Sequence, residues 1–479
     1  MAYKDIQHFM KELEEKNELK RVKTEVDSYL EITEIADRVV KKDGPALLFE
    51  NVKGSPYPVL INAFGSYKRM SMAIGATELD NIGDDIHDLI DMSNYTTMLD
   101  KVKSIPRLAR LLSVFPIKVP KAPCQEVIEE PDLSTLPILH CWPQDGGKFI
   151  TLPLVFTKDP ETGQQNIGMY RMQVYDNQTT GMHWHLHKDG REIYDKYRKI
   201  GGKMPVTVVI GCDPATIYSA TAPLPKMIDE IMFSGYLRKL PVPIVKSVTN
   251  DIYIPANSEF VLEGYVDTEE LRVEGPFGDH TGYYSEKDVY PVFHVTKMTR
   301  KKNPVFTATI VGRPPMEDCY MGKATERLFL PLLKMIAPEI VDINFPLEGV
   351  FHNCVIVSIK KKYPGHAKKI LNTLWGNGQM MYTKMIIVVD EAVDPHDIST
   401  VAWKVFNNID AKRDLIISEG PLDALDHASP LHMLGYRLGI DATKKWASEG
   451  YEREWPDDII MSDDVKEAVD KRWAEYGLD

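Results

Sequence analysis

Between about residues 135 and 310 the chain becomes a succession of short, β-branched or alternating segments, and this stretch sets the limits on its fold. Segments at 154–157, 166–175, 182–187, 206–210, 260–266, 289–298 and 305–310 are joined by connections rich in Gly, Asp, Asn and Pro, the pattern of strands meeting at turns. So many strands in one run call for a β-barrel or sandwich core, interrupted by helices near 190–199 and 226–236. With 479 residues, 43% of them hydrophobic, the chain has apolar material for this core and for further domains on either side.

On the N-terminal side, helical periodicity over 3–16 and 30–41 precedes short apolar runs at 46–49 and 59–63, which together read as a small α/β unit. Helical patterns continue over 66–113, and the Pro-spaced connection from Phe115 to Pro131 sets a boundary near residue 120. After Arg313-Pro314-Pro315 the rhythm is helix (322–336), strand (354–360), helix (364–374), strand (385–389), helix (398–407) and strand (414–417), which predicts an α/β domain with its own sheet. A terminal helix is expected over 462–475. The expected organisation is a mixed α+β and α/β chain in three parts, 1–120, 121–315 and 316–479.

The charge balance, 57 basic against 70 acidic residues for a net −13, disfavours non-specific binding to nucleic acid, whose phosphates such a surface repels. The five cysteines (Cys124, Cys141, Cys212, Cys319, Cys354) include no CxxC pair, so neither a disulfide framework nor a thiolate zinc site is indicated, and a reducing cytoplasm fits. Ile6, Phe9, Met10 and Leu13 at helical spacing among Lys and Glu make the N-terminus an amphipathic helix rather than a signal peptide. No run of about 18 apolar residues is present, so the expectation is a soluble protein.

The chemistry concentrates in Glu274-Gly275-Pro276-Phe277-Gly278-Asp279-His280-Thr281-Gly282-Tyr283-Tyr284. Its glycines and proline rule out a regular helix and predict a tight loop in which Glu274 and Asp279 face one another. Two carboxylates held close cannot both ionise cheaply, so one is expected to move towards its protonated form, giving an acid and a base from one loop. A Gly-rich hairpin with solvated acids is the competing reading of the segment taken alone.

Other polar residues lie upstream. On a strand, Asn166 and Arg171 of Asn166-Ile167-Gly168-Met169-Tyr170-Arg171 point to opposite faces unless Gly168 introduces a bulge. Asn166 could supply a carbonyl ligand to a hard or borderline cation. In Met182-His183-Trp184-His185-Leu186-His187 three histidines alternate, and on a strand all would share one face. Three imidazoles would suit zinc, whereas one imidazole in a mixed oxygen and nitrogen site suits Mg²⁺ or Mn²⁺. Pro223-Leu224-Pro225 precedes a helix carrying Asp229 and Glu230, where spacing favours a solvated outer face without deciding it.

Together these segments resemble the UbiD family of prenylated-FMN-dependent decarboxylases. The matching residues are Asn166 to Arg171, Trp184 with His187, Pro223-Leu224-Pro225 through Glu230, and Glu274 through Tyr284. The similarity extends from Glu31-Ile-Thr-Glu-Ile-Ala-Asp37 and Gly44-Pro-Ala-Leu-Leu-Phe-Glu50 to Met381-Tyr-Thr-Lys384 and Asp441-Ala-Thr-Lys-Lys-Trp446, almost the whole chain.

The resemblance implies that the middle domain is a split β-barrel binding prenylated FMN, with a C-terminal domain that assembles a homo-oligomer, dimer or hexamer. It implies a divalent metal, commonly Mn²⁺ and often accompanied by K⁺, that ties the cofactor phosphate to Asn166, His187 and Glu230. It places Met169, Tyr170, Arg171, His183, Trp184, His185, Lys188 and Asp189 along the cofactor. The family's catalytic trio maps onto Arg171, Glu274 and Asp279, with Asp279 as proton donor to the carbon that loses CO₂. In the family the modified flavin is the electron sink, through a covalent adduct with the substrate, and a separate flavin prenyltransferase makes it.

The implied substrate is a prenylated aromatic acid of quinone biosynthesis, either 4-hydroxy-3-polyprenylbenzoate or a polyprenylated hydroxynaphthoate of a menaquinone route, with a small phenolic acid as the other contender. A prenyl tail calls for an apolar groove and at most peripheral contact with the inner face of a membrane. Two other classes stand beside this reading: a non-catalytic flavin-binding barrel, which would have no use for paired acids beside Arg171, and a metal-binding assembly protein with a structural acidic loop.

Overall fold

The computed structural model describes residues 2–82, 114–185, 188–224 and 228–478. Most of the helical expectation over 66–113 lies outside them, as do Leu186, His187 and the start of the helix expected at 226.

Helix α1 (Ile6–Glu15) buries Ile6, Phe9, Met10 and Leu13 along one face, and Asp5 caps it by accepting from the His8 amide at 2.9 Å. With α2 (Glu31–Val40) and α3 (Tyr67–Ala73) it shares a core with β1 (Leu19–Val22), β2 (Ala46–Phe49) and β3 (Val59–Ile61). Strand β2 is buried throughout, which explains its unbroken apolar run.

In the middle of the chain, β4 (Val127–Glu129), β5 (Pro153–Lys158), β6 (Gln165–Met169), β7 (Thr179–Gly181), β8 (Lys203–Ile210), β9 (Phe260–Glu274) and β10 (Asp288–Arg300) form one antiparallel sheet. Its order is β7-β10-β9-β8-β5-β6, with β4 added to β10, and among the described residues it does not close. Helices α4 (Asp189–Ile200) and α5 (Glu230–Arg238) interrupt it close to where helices are expected. The long β9–β10 hairpin shifts register at Glu263/Gly264 and again between Val266 and Leu271, and its far end carries Glu274. At the first shift a Cβ on Gly264 would stand 1.8 Å from the His294 carbonyl oxygen, so only glycine fits.

Two strand expectations fail here for visible reasons. Strand β7 ends at Gly181 because the Met182 amide donates to the Pro291 carbonyl at 2.9 Å, and Pro291 has no N–H with which to continue the ladder. The histidines at 183 and 185 therefore sit on irregular backbone, not on one face of a strand. The strand expected over 166–175 breaks at Tyr170 and Arg171, where the Tyr170 ring folds back over Gly168; a Cβ there would stand 2.3 Å from that ring.

Strand β11 (Phe306–Thr307) leaves the middle region and pairs in parallel with β3, completing the N-terminal sheet in the order β1-β2-β3-β11. The apolar run at 305–310 thus belongs to the first sheet and not to the central one. One hydrophobic core runs from Ile6 and Phe49 through Val155, Val208 and Leu262 to Leu328.

Helix α6 (Glu317–Ile336) opens the C-terminal part, followed by β12 (Ile340–Asn344), β13 (Cys354–Ile359), β14 (Met385–Asp390), β15 (Leu415–Pro421) and β16 (Leu434–Asp441). These form a mixed sheet in the order β12-β13-β14-β16-β15, parallel between β13, β14 and β16. Alternate residues of β13 face opposite ways: Val355, Val357 and Ile359 pack with α7 (His366–Trp375), while Ile356 packs with Val401 of α8 (Ile398–Asn408). A short helix α9 (Asp463–Asp470) lies in an exposed tail. No helix among the described residues is long and apolar enough to cross a membrane.

Candidate active site

The loop after β9 is built as a clamp. Gly275 takes a positive φ of 93°, and its amide donates to Gln173 Oε1 at 2.7 Å. The Gly146 amide donates to the Pro276 carbonyl at 2.7 Å, and Asp145 Oδ1 accepts from the Gly278 amide at 2.8 Å. Approach is close enough that a Cβ on Gly146 would stand 2.3 Å from the Gly275 oxygen. The Asp279 carbonyl accepts from the Gly282 amide at 2.9 Å, closing a tight turn with Asp279 at its head.

This clamp brings Glu274 and Asp279 to opposite sides of Arg171. Arg171 Nε donates to Glu274 Oε1 at 3.1 Å, its Nη1 donates to Asp279 Oδ2, and its Nη2 donates to Ser285 Oγ at 3.2 Å. The guanidinium lies over the Phe277 ring, 4.6 Å from its centroid. The break in the strand after Met169 is what turns Arg171 towards this loop.

Burial opposes charge on Arg171, but Asp279 and Glu274 outweigh it and hold the guanidinium firmly cationic. For Asp279 burial works to raise the pKa, yet the Arg171 charge and the His280 contacts prevail and hold the carboxyl well below the usual range. The expectation that crowding raises one acid of the pair therefore fails for Asp279, because a cation stands between the two carboxylates.

Behind Glu274 the histidines line up. His183 Nδ1 lies 2.7 Å from Glu274 Oε1, and His183 Nε2 lies 2.6 Å from His185 Nε2. Burial first, then the neighbouring His183 and the Arg171 charge, push His185 down to about 3, so it is neutral. The second Glu274 oxygen, Oε2, is buried without a partner among the described residues, an acceptor left open in the site.

The other expected residues divide into two groups. Met169 ends β6, Tyr170 is buried, and Lys188 and Asp189 begin α4. Trp184 is fully buried against that helix, and a Cβ on Gly190 would meet its Nε1 at 2.7 Å. Of the expected metal ligands, Asn166 and Glu230 come together: Glu230 Oε2 accepts from the Ile167 amide at 3.2 Å, next to Asn166. His187 lies outside the described residues, among which no group of three or more His, Cys, Asp or Glu could hold a metal.

The pair nonetheless suits a cation. Burial pushes Glu230 up to about 7, with Asp229 and Asp189 adding to it, the mark of a carboxylate short of positive charge. Asn166 Nδ2 is buried without a partner among the described residues, and an amide flip would present Oδ1 there instead.

Gln173, Asp145, Ser285 and His352, all in contact with the loop or its neighbours, carry no signal in the sequence that singles them out. They are polar residues in unremarkable stretches, and only the folded chain brings them to the site.

Models of the three domains of 3-octaprenyl-4-hydroxybenzoate carboxy-lyase match this chain: the N-terminal domain over residues 10–89, the Rift-related domain over 117–314 and the C-terminal domain over 319–442. The chain belongs to the UbiD family. As a member it is a carboxy-lyase. An uncharacterized protein of Archaeoglobus fulgidus is 52% identical over 477 residues, covering 99% of each chain. The vanillic acid decarboxylase of Sedimentibacter hydroxybenzoicus in its closed form is 29% identical, with a TM-score of 0.85 over 100% of both chains. HmfF of Pelotomaculum thermopropionicum, solved in complex with FMN, is a UbiD-class enzyme 26% identical to this chain, with a TM-score of 0.80 over 94% of this chain and 97% of its own. An evolved dimeric form of HmfF holds prFMN.

Proposed function

We propose that this UbiD-family chain catalyses the non-oxidative decarboxylation of a prenylated hydroxy-aromatic acid, 4-hydroxy-3-polyprenylbenzoate in type, with prenylated FMN and a divalent cation as cofactors. The observation that carries this reading is a single guanidinium, Arg171, held between two buried carboxylates, Glu274 and Asp279. It suits a reaction in which a carboxylate arrives, leaves as CO₂ and is replaced by a proton: R–COO⁻ + H⁺ → R–H + CO₂.

Bound prenylated FMN would supply the electron sink that an sp² carbon needs as CO₂ departs. The protein's residues do the rest. Arg171 takes hold of the incoming carboxylate, for which its planar fork is suited, while Glu274 and Ser285 fix its orientation. As Arg171 turns to the substrate, its hold on Asp279 loosens, and burial, which favours the neutral carboxyl, prevails. Asp279 then takes up a proton and delivers it to the vacated carbon.

Asn166, His187 and Glu230 would hold the cation, Mn²⁺ or another divalent ion accompanied by K⁺, against the cofactor phosphate. Lys188 and the N-terminus of α4 add positive charge there. Met169, Tyr170, His183, Trp184, His185 and Asp189 complete the cofactor's surroundings. Glu230→Ala is expected to lose bound metal and flavin together while the circular dichroism spectrum stays that of the wild type. Full flavin occupancy in that variant would remove Glu230 from the site.

The prenylated substrate draws support from the hairpin that ends at Glu274. Leu271, Val273 and Val289 are exposed there, with Val273 and Val289 paired across the strands, and they offer apolar surface beside the loop. A small phenolic acid is the second reading, favoured by the full-length match to vanillic acid decarboxylase. Assembly through the C-terminal part has support in Trp403, Phe406, Ile417 and Tyr436, large apolar side chains left exposed on α8, β15 and β16.

The test is reconstitution. Protein made without a flavin prenyltransferase is expected to be inactive, and CO₂ release should follow addition of the prenylated cofactor with a prenylated 4-hydroxybenzoate. Robust turnover with plain FMN would overturn the cofactor assignment. Far faster turnover of short phenolic acids would transfer the substrate assignment to the second reading.

A further inference from the structure

We propose that His280 is the proton reserve for Asp279 and that His352, reaching in from the C-terminal part, is the positioning residue that holds it. The inference rests on Asp279 being the proton donor of the function proposed above.

The geometry is a short chain of hydrogen bonds. His280 Nδ1 lies 3.1 Å from Asp279 Oδ1, and His280 Nε2 lies 2.8 Å from His352 Nε2. Phe351 stacks on the His280 ring at 5.0 Å and 27°, so the imidazole is held in its plane as well as at both nitrogens. All these contacts on the far side come from one turn after β12.

That turn is held in an unfavourable backbone conformation. Val350 and Phe351 take φ of 44° and 54°, a left-handed region that side chains with a Cβ avoid and a β-branched residue avoids most. The bonds His352 N–H to Gly349 O at 3.2 Å and Asn353 N–H to Gly349 O at 2.8 Å close it. Gly322 of α6 leaves room for it, since a Cβ there would stand 2.5 Å from Phe351 Cβ. Two consecutive strained residues persist where the rest of the structure demands the geometry, and what this geometry delivers is Phe351 and His352 against His280.

The charges around the ring agree with the reserve role. Burial works against a charged His280, but Asp279 on its own loop, Asp318 at the start of α6 and Asp423 before β16 together raise its pKa above the ordinary histidine value. His352 is pushed the other way, down to about 4, by burial first and then by the His280 charge. In its cationic form His280 donates from both nitrogens, to Asp279 and to a neutral His352.

The proton step balances. As Arg171 leaves Asp279 for the substrate carboxylate, the His280 Nδ1–H bond breaks and an Asp279 O–H bond forms, turning a charged pair into a neutral one. Asp279 passes that proton to carbon, and the H⁺ of the overall equation, taken up from bulk solvent, returns to His280 Nδ1 when product leaves.

The reserve works only while His280 is protonated, so the rate should be full below its raised pKa and fall as pH rises through it. In His280→Gln, kcat is expected to drop about 10- to 100-fold at unchanged KM, and this alkaline limb should vanish. His352→Ala, which removes the acceptor that steadies the cation, should shift the limb to lower pH, and His352→Gln, whose amide oxygen can accept, should restore it. A wild-type rate and pH profile in His280→Gln would overturn the proposal while leaving the decarboxylase reading intact. Full activity of Asp279→Asn would instead strike the reading on which it rests. A ¹⁵N titration of the free protein needs neither cofactor nor substrate: His280 should keep its charge to higher pH than an ordinary histidine and lose it at lower pH in Asp279→Asn. A His280 that loses its charge below the ordinary histidine range in the wild type would end the proposal by itself.

Discussion

Glu274→Gln is expected to abolish CO₂ release, a loss of about 10²- to 10⁴-fold, with flavin still bound. Glu274 Oε1 meets two nitrogens at once, Arg171 Nε at 3.1 Å and His183 Nδ1 at 2.7 Å. An amide there can satisfy both only through its oxygen; turned over, its NH₂ would face the Arg171 N–H, donor against donor in a buried site. Either way the negative charge that holds Arg171 in place is gone, and with it the orientation of the guanidinium proposed to receive the substrate carboxylate. Flavin absorbance and CO₂ release measured on the same sample separate loss of cofactor from loss of chemistry. Turnover within a few-fold of the wild type would exclude Glu274 from the catalytic trio.

Asp279→Asn should fail at a different point. The amide oxygen can still accept from Arg171 Nη1, so the arrangement that receives the substrate survives, but an amide has no proton to give. Multiple turnover is expected to fall by about 10²- to 10⁴-fold, with at most one equivalent of CO₂ released per site in a first burst. Hydrogen/deuterium exchange at the product carbon, which needs only the proton-transfer step run in both directions, should slow by the same factor. Exchange at the wild-type rate in Asp279→Asn, with Glu274→Gln inert, would assign the donor to another group.

Much of this site was legible because its acids share one stretch of eleven residues, Glu274 to Tyr284, in which glycine and proline leave little choice but a shaped loop. What the stretch could not show was its partner. Arg171 lies over a hundred positions away, and whether two neighbouring acids repel or are bridged depends on what stands between them. The low pKa of Asp279 is therefore a property of the fold.

The histidine run misled for a related reason. Alternation at 183, 185 and 187 predicts one face of a strand, but a strand lasts only as long as its neighbour can hydrogen-bond, and Pro291 on β10 ends that. The C-terminal alternation of helix and strand was easier to read where the parallel strands β13 and β14 are short apolar runs bounded by turns. Strands β12 and β16 escaped notice because polar and glycine residues dilute their apolar pattern. Nothing in the pattern around Gly349 to Asn353 marks His352 as a neighbour of the Glu274–Tyr284 loop; that follows only from the strained turn.

The short β11, lying beside β3, bears on how the chain must be born. A ribosome releases the first three strands of the N-terminal sheet early, but their fourth partner, Phe306–Thr307, emerges only after the whole central sheet has been synthesised. The usual order, in which the first-made domain finishes folding first, cannot hold for that sheet. Its last strand has to be found across a long separation in sequence, after the intervening sheet has had the chance to form. Until then the open edge of β3 is exposed to the cell as a site for mispairing, and a nascent chain stalled before residue 306 would carry that edge unprotected.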